Sequence, residues 1–133
     1  WMTSGVGSTA EASGPIGVVG YGEGGLYALY AAALDSRLSA AYASGYFGPR
    51  EELWKEPIDR NVFGLLNEFG DAEVAALVAP RPLWLEAVRY PEIELTDAHG
   101  GAPGRLVRPG DAAIRQEFER RPELGAGGRV RLI

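Results

Sequence analysis

The sequence predicts an α/β fold, a mainly parallel sheet with helices on its faces. Three observations predict it. Short apolar runs alternate with helical patterns along the chain. A glycine-rich turn links the first run directly to the first helical pattern. The resulting order of strand, helix, strand, helices, strand, helix, strand calls for a mainly parallel sheet. At 133 residues the chain holds at most one domain, and 46% hydrophobic with 23% charged residues is the balance of a folded chain.

The elements follow in order. Residues 1–14 are rich in Gly, Ser, Thr and Ala and read as a lead-in. Pro15 precedes Ile16-Gly17-Val18-Val19, an apolar run suited to a buried parallel strand. Gly20 to Gly25 form a tight turn, after which Leu26, Leu29, Tyr30, Ala33 and Leu34 mark one face of a helix. Asp35-Ser36-Arg37 ends that helix, and Leu38 to Ala43 predict a second strand closed by Ser44-Gly45. Glu51 to Lys55 suggest one helical turn before Pro57. Val62, Leu65, Leu66 and Phe69 recur at helical spacing up to Gly70. Asp71 is placed to cap a further short helix carrying Val74, Leu77 and Val78. Leu83-Trp84-Leu85 follow Pro80-Arg81-Pro82 as a third strand, and residues 88–110 read as a long surface loop. Asp111 is placed to cap a polar helix with Ile114 and Phe118 facing inward, and Val130 to Ile133 predict a fourth strand. Four parallel strands in so short a chain leave an open sheet edge and uncovered apolar surface. A chain that opens on Trp1 reads as part of something longer, so either further chain or self-association is expected to cover that surface.

Composition excludes several functions. A net charge of -5 and the absence of a Lys/Arg run argue against a nucleic-acid partner. Leu26 to Leu34 is far shorter than the ~20 apolar residues that span a bilayer, and no membrane partner is expected. No signal peptide is visible at the N-terminus. The chain has no cysteine, which removes disulfides, thiolate catalysis and cysteine zinc sites without identifying a compartment.

The informative segment is Val19-Gly20-Tyr21-Gly22-Glu23-Gly24-Gly25, which admits two readings. Gly20, Gly22 and Gly25 satisfy G-x-G-x-x-G, the dinucleotide pattern that rests a pyrophosphate on a helix N-terminus. That reading wants an acid at the end of the next strand, where Ala43-Ser44-Gly45 stands instead, and Glu23 puts a carboxylate where phosphate would sit. Alternatively, Gly20-Tyr21-Gly22-Glu23-Gly24 is G-x-S-x-G with glycine in the serine position. Such an elbow needs small flanking residues because the turn is sharp. Its central residue is held in a conformation that costs ~1–3 kcal/mol for a residue with a side chain, and glycine relieves that strain while removing the attacking atom.

Residues 16–87 resemble the central stretch of dienelactone hydrolase-like and acetyl xylan esterase-like members of the α/β-hydrolase superfamily. Ile16-Gly17-Val18-Val19-Gly20-Tyr21 with Gly24-Gly25 is similar to their elbow. Ala33-Leu34-Asp35-Ser36-Arg37 with Ala40-Ala41 resembles their "A-x-D-x-R-x-x-A" passage. Ser44-Gly45-Tyr46-Phe47 and Ala79-Pro80-Arg81-Pro82-Leu83 resemble the exit from the next strand and the entry to the one before the acid. About half the chain is covered well; residues 88–133 match loosely. The resemblance implies the C-terminal part of a three-layer αβα fold and a small ester-like ligand, with no cofactor.

Carried over residue by residue, the nucleophile position falls on Gly22, which is vacant, and the oxyanion-hole N–H falls on Glu23. The Glu23 side chain also reads simply as an acidic residue favouring the helix dipole. Glu92 and Glu86 are the candidate acids, and both read equally as ordinary solvated carboxylates. The histidine of the family follows the last strand, whereas the only histidine here, His99, lies before the last helix and reads as a surface residue. Asp97 and His99 together make at most a weak metal site. Ser13, Ser36 and Ser44 read as structural. Tyr21, Tyr46, Phe47, Trp54 and Phe63 are expected either to line a pocket above the strand ends or to be core. The resemblance therefore implies an impaired esterase-like protein, with a non-catalytic binding module and a dinucleotide-binding domain as alternatives.

Overall fold

The computed structural model describes residues 14–95, 103–120 and 129–133. Six strands and three helices occur among them: β1 (Ile16–Tyr21), α1 (Glu23–Leu34), β2 (Leu38–Ser44), α2 (Asp71–Leu77), β3 (Leu83–Glu86), β4 (Ile93–Glu94), β5 (Arg105–Leu106), α3 (Asp111–Glu119) and β6 (Val130–Leu132). Strands β1-β2-β3-β6 form one parallel sheet in that order, so the expected α/β architecture is present. None of the helices among the described residues is long and apolar enough to cross a membrane.

Alternation along the strands sorts the sheet into two unlike faces. Val18, Ala41, Ala43, Leu83, Leu85, Val130 and Leu132 face one side and pack with Leu29 and Ala32 of α1, Val74 and Ala75 of α2, and Ile114 of α3. Leu29, Leu83 and Leu85 are fully buried there, each contributing on the order of 2 kcal/mol of hydrophobic stabilisation, which makes this face the core. On the other face the register places Val19 beside Tyr42, Tyr42 beside Trp84, and Trp84 beside Arg131. Val19 is 77% exposed, and the core residues of all three helices lie on the opposite side. The described residues thus supply the sheet and one helical layer.

Several local expectations are corrected. The glycine turn is shorter than predicted: β1 continues to Tyr21 and α1 starts at Glu23, leaving Gly22 alone between them. The buried stripe of α1 is Gly25, Ala28, Leu29 and Ala32, while Leu34 is exposed. Small residues on that stripe let α1 lie close to β1 and β2. The helix predicted over Val62 to Phe69 is only a 3₁₀ turn, Leu65–Asn67. Gly64 takes a left-handed conformation, and Val62, Phe63, Leu66 and Phe69 are exposed, so the periodicity has no partner to bury against. The turn expected near Glu51 is a 3₁₀ turn at Leu53–Lys55, and a second, Ile58–Arg60, follows it.

Neither aspartate is an N-cap. Gly70 and Gly110 hold those positions, and Asp71 and Asp111 are the first helical residues. Leu77 is exposed and Val78 takes the buried place. Ile114 is buried as expected, and Phe118 packs edge-on to Phe47 with ring centroids 6.4 Å apart. The loop over residues 88–110 contains a small antiparallel pair, Ile93 with Leu106 and Glu94 with Arg105.

The link between β1 and α1 is set by contact distances. A Cβ at Gly20 would lie 1.8 Å from the Gly24 carbonyl oxygen, and one at Gly25 would lie 2.7 Å from that of Ser44. A Cβ at Gly24 would meet nothing within 4 Å. Gly20→Ala is expected to destabilise the chain by at least ~3 kcal/mol, the upper end of ordinary overpacking, because backbone cannot yield. Gly24→Ala is expected to be neutral or stabilising by up to ~1 kcal/mol. Urea denaturation of the two variants checks the pair.

Candidate functional site

The chain turns from strand to helix at Gly22 with φ 56 and ψ -117, a backbone conformation that side-chain-bearing residues rarely adopt. Its N–H donates to the Ser44 carbonyl at 2.8 Å, and its carbonyl accepts from the Gly25 and Leu26 N–H groups. The turn is thereby fixed to the end of β2 on one side and closes the first turn of α1 on the other. The Glu23 N–H lies in that first helical turn, where backbone donors have no partner within the helix.

Above the turn lies a cavity of about 290 Å³. Gly22, Glu23 and Gly45 form its floor at the strand ends, and Pro57, Asp59, Arg60, Tyr90, Pro91, Ile93 and Leu106 complete it. The Ile58–Arg60 turn and the β4–β5 pair therefore position the walls, and the cavity sits beyond the C-terminal ends of the strands. Burial is the largest influence on the Tyr90 phenol and raises its pKa, so it remains a neutral hydroxyl.

The residues expected at the site divide into those at the cavity and those away from it. Gly22 and Glu23 lie together at the cavity. The Glu23 carboxylate approaches the Arg60 guanidinium, with Oε2 3.3 Å from Nε. Glu86 is the last residue of β3 and accepts a 2.5 Å hydrogen bond from the Ser44 hydroxyl. Glu92 is exposed and accepts from the Arg108 N–H at 3.1 Å, outside the cavity wall although Pro91 and Ile93 belong to it. Ser44 is buried, and its hydroxyl is held by Glu86. Asp97, His99 and Ser13 lie outside the described residues. The aromatic residues divide: Tyr46 and Phe47 are core, Tyr21, Trp54 and Phe63 are exposed, and none of the five lines the cavity. Tyr21 instead donates to the Arg89 carbonyl at 2.9 Å.

What sequence reasoning missed is a buried polar relay leading to the cavity. Asp71, fully buried at the start of α2, accepts from the Gly48 N–H at 3.1 Å and from Arg50 Nε at 3.0 Å. Arg50 also donates to Glu56 at 2.9 Å and to the Tyr46 carbonyl at 2.6 Å, and its guanidinium lies 4.2 Å from the Tyr46 ring centre. Glu56 Oε2 in turn lies 3.3 Å from Arg60 Nε. Burial pushes the Asp71 carboxyl up against the opposing pull of Arg50 and the Gly48 N–H, and burial likewise raises the Tyr46 hydroxyl. The only sequence trace of this relay was Asp71 at a helix start, which reads as a cap.

No group of three or more His, Cys, Asp or Glu able to hold a metal occurs among the described residues. Comparison with known protein families, curated proteins and solved structures finds no match.

Removing one partner of a buried ion pair leaves the other charge uncompensated. Asp71→Ala is therefore expected to cost ~3–5 kcal/mol in urea denaturation. Glu92→Ala, an exposed acceptor, is expected to change stability by no more than ~0.5 kcal/mol.

Proposed function

We propose that the chain is an α/β-hydrolase-like protein, related to esterases and dienelactone hydrolases, whose elbow binds a small ester-like or acid ligand without turning it over. The observation that carries the proposal is Gly22: a single residue with positive φ between a strand of the parallel sheet and a helix, at the floor of a cavity. That is the place where a hydrolase of this kind would display its attacking oxygen. Glycine has no such atom, and in a serine hydrolase loss of the nucleophile lowers turnover by as much as roughly a millionfold.

The strand order supports the elbow over a dinucleotide turn. Beyond β3 the next parallel strand, β6, continues in the same direction instead of returning to the free side of β1. The glycine turn is therefore not at a topological switch point of the described sheet, where open α/β sheets bind nucleotides. The Glu23 carboxylate beside the helix start weighs the same way. Glu86 is a less apt catalytic acid than its position suggests, since its Oε2 is engaged by Ser44. The bare sheet face fits a protein that covers it with further chain or a second copy, as hydrolases of this superfamily carry helices on both faces.

The experiment is paired. The chain is expected to show a saturable thermal shift with short acyl esters and acids. It is also expected to release no 4-nitrophenol from a short acyl ester beyond the buffer rate. Activity abolished by a serine-directed phosphonate would overturn the reading, because it would place a working nucleophile elsewhere. Sedimentation is expected to show a mass that grows with concentration, and Val19→Lys on the bare face is expected to reduce that growth.

A further inference from the structure

Arg60 is charged, almost wholly buried and poorly satisfied. Its side chain is 5% exposed, yet Nε and Nη1 are closed to solvent without a hydrogen-bond partner. Two carboxylates stand near: Glu23 and Glu56 each bring Oε2 to 3.3 Å from the same Nε, and neither is aligned for a hydrogen bond. The charge is matched and the geometry is not. A guanidinium presents five donors in a planar fork suited to a bidentate carboxylate, and a buried charged donor left unpaired is costly.

The two carboxylates are not equivalent. Glu56 is 15% exposed and anchored through its other oxygen by Arg50 at 2.9 Å. Glu23 is 42% exposed and makes no other ion pair among the described residues, so it can turn into water. It also stands on the first turn of a 12-residue helix, whose N-terminal donors favour an anion at the cavity floor.

We infer that Arg60 anchors the carboxylate of a small monoanionic ligand with an apolar body, and that Glu23 occupies the seat until the ligand displaces it. The inference rests on the ligand-binding reading of the elbow cavity and names the class of ligand. Exchange of one carboxylate for another at Arg60 leaves the local charge unchanged. A dianionic phosphate would add one more negative charge beside Glu56, which stays at Arg60, and Asp59 on the wall. Tyr90, Pro91, Ile93 and Leu106 supply the apolar surface for the rest of the ligand.

Calorimetric titration tests the assignment with hexanoate, its uncharged analogue hexanamide, and inorganic phosphate. Hexanoate is expected to bind saturably, with hexanamide at least about tenfold weaker, the loss expected for one charge-assisted contact. Glu23→Gln, at an exposed side chain, is expected to tighten hexanoate about threefold by removing the competing charge. Arg60→Gln is expected to abolish the preference for acid over amide. Should that variant fail to fold, the amide comparison and Glu23→Gln still decide. Equal binding of acid and amide would leave the cavity reading standing and remove Arg60 as anchor. Unchanged or weaker hexanoate binding in Glu23→Gln would refute displacement of Glu23. Tighter binding of phosphate than of hexanoate would refute the monocarboxylate. Binding of neither hexanoate nor hexanamide would bring down both the anchor and the cavity reading.

Discussion

The molecule depends on a junction one residue wide. Between the last residue of β1 and the first of α1 stands only Gly22, and the chain reverses there because that residue takes a positive φ. Such a reversal folds α1 straight back on its own strand, so two positions near the bend face backbone at distances no side chain tolerates. Gly20 meets the Gly24 carbonyl and Gly25 meets the Ser44 carbonyl, and the close approach of α1 to β1 and β2 follows. The hydrogen bond from Gly22 to Ser44 then ties the turn to the neighbouring strand. Core packing of Leu29 and Ala32 against Ala41 and Ala43 requires that proximity, so the turn and the core are one constraint.

A second organisation runs from α2 to the same turn. Asp71, Arg50, Glu56, Arg60 and Glu23 alternate in sign along a line of contacts. Buried ion pairs gain little over an apolar core, because desolvation offsets their attraction. Their effect here is positional. The segment between β2 and α2 holds only short 3₁₀ turns and exposes many of its apolar residues, so hydrophobic burial alone leaves it loosely specified. Arg50 reaches back to the Tyr46 carbonyl and forward to Glu56, which fixes that segment over the cavity. The relay is well bonded at its Asp71 end and loosens towards Arg60, where the contacts lengthen to 3.3 Å.

The four parallel strands were legible because each is a short apolar run with its own punctuation, and α1 because a helical stripe follows the glycine turn. Errors arose where one residue serves two readings. Asp71 and Asp111 look like caps, but glycines precede them, and a glycine can take the extended cap conformation while the aspartate enters the first turn. Val62, Leu65, Leu66 and Phe69 carry helical spacing without a surface to pack on, and periodicity cannot report a missing partner. At the site the turn itself was readable, since positive φ and close approach leave a glycine signature. Arg60 was not. Its role comes from contacts to Glu23 and Glu56, and a lone arginine after Pro57-Ile58-Asp59 looks in sequence like any solvated surface charge.

Absence of a side chain at Gly22 also shapes what the cavity can hold. A Cβ there would lie 3.9 Å from the Tyr90 Cβ, an ordinary contact, so it is the backbone conformation that resists a first side-chain carbon. Glycine therefore presents bare backbone to the cavity, next to the first turn of α1. A floor of bare backbone beside a helix start favours negative charge in the cavity above it, because the dipole acts over that first turn. The sharp bend and the open floor of the cavity are two consequences of one missing side chain, and both follow from the geometry of the junction.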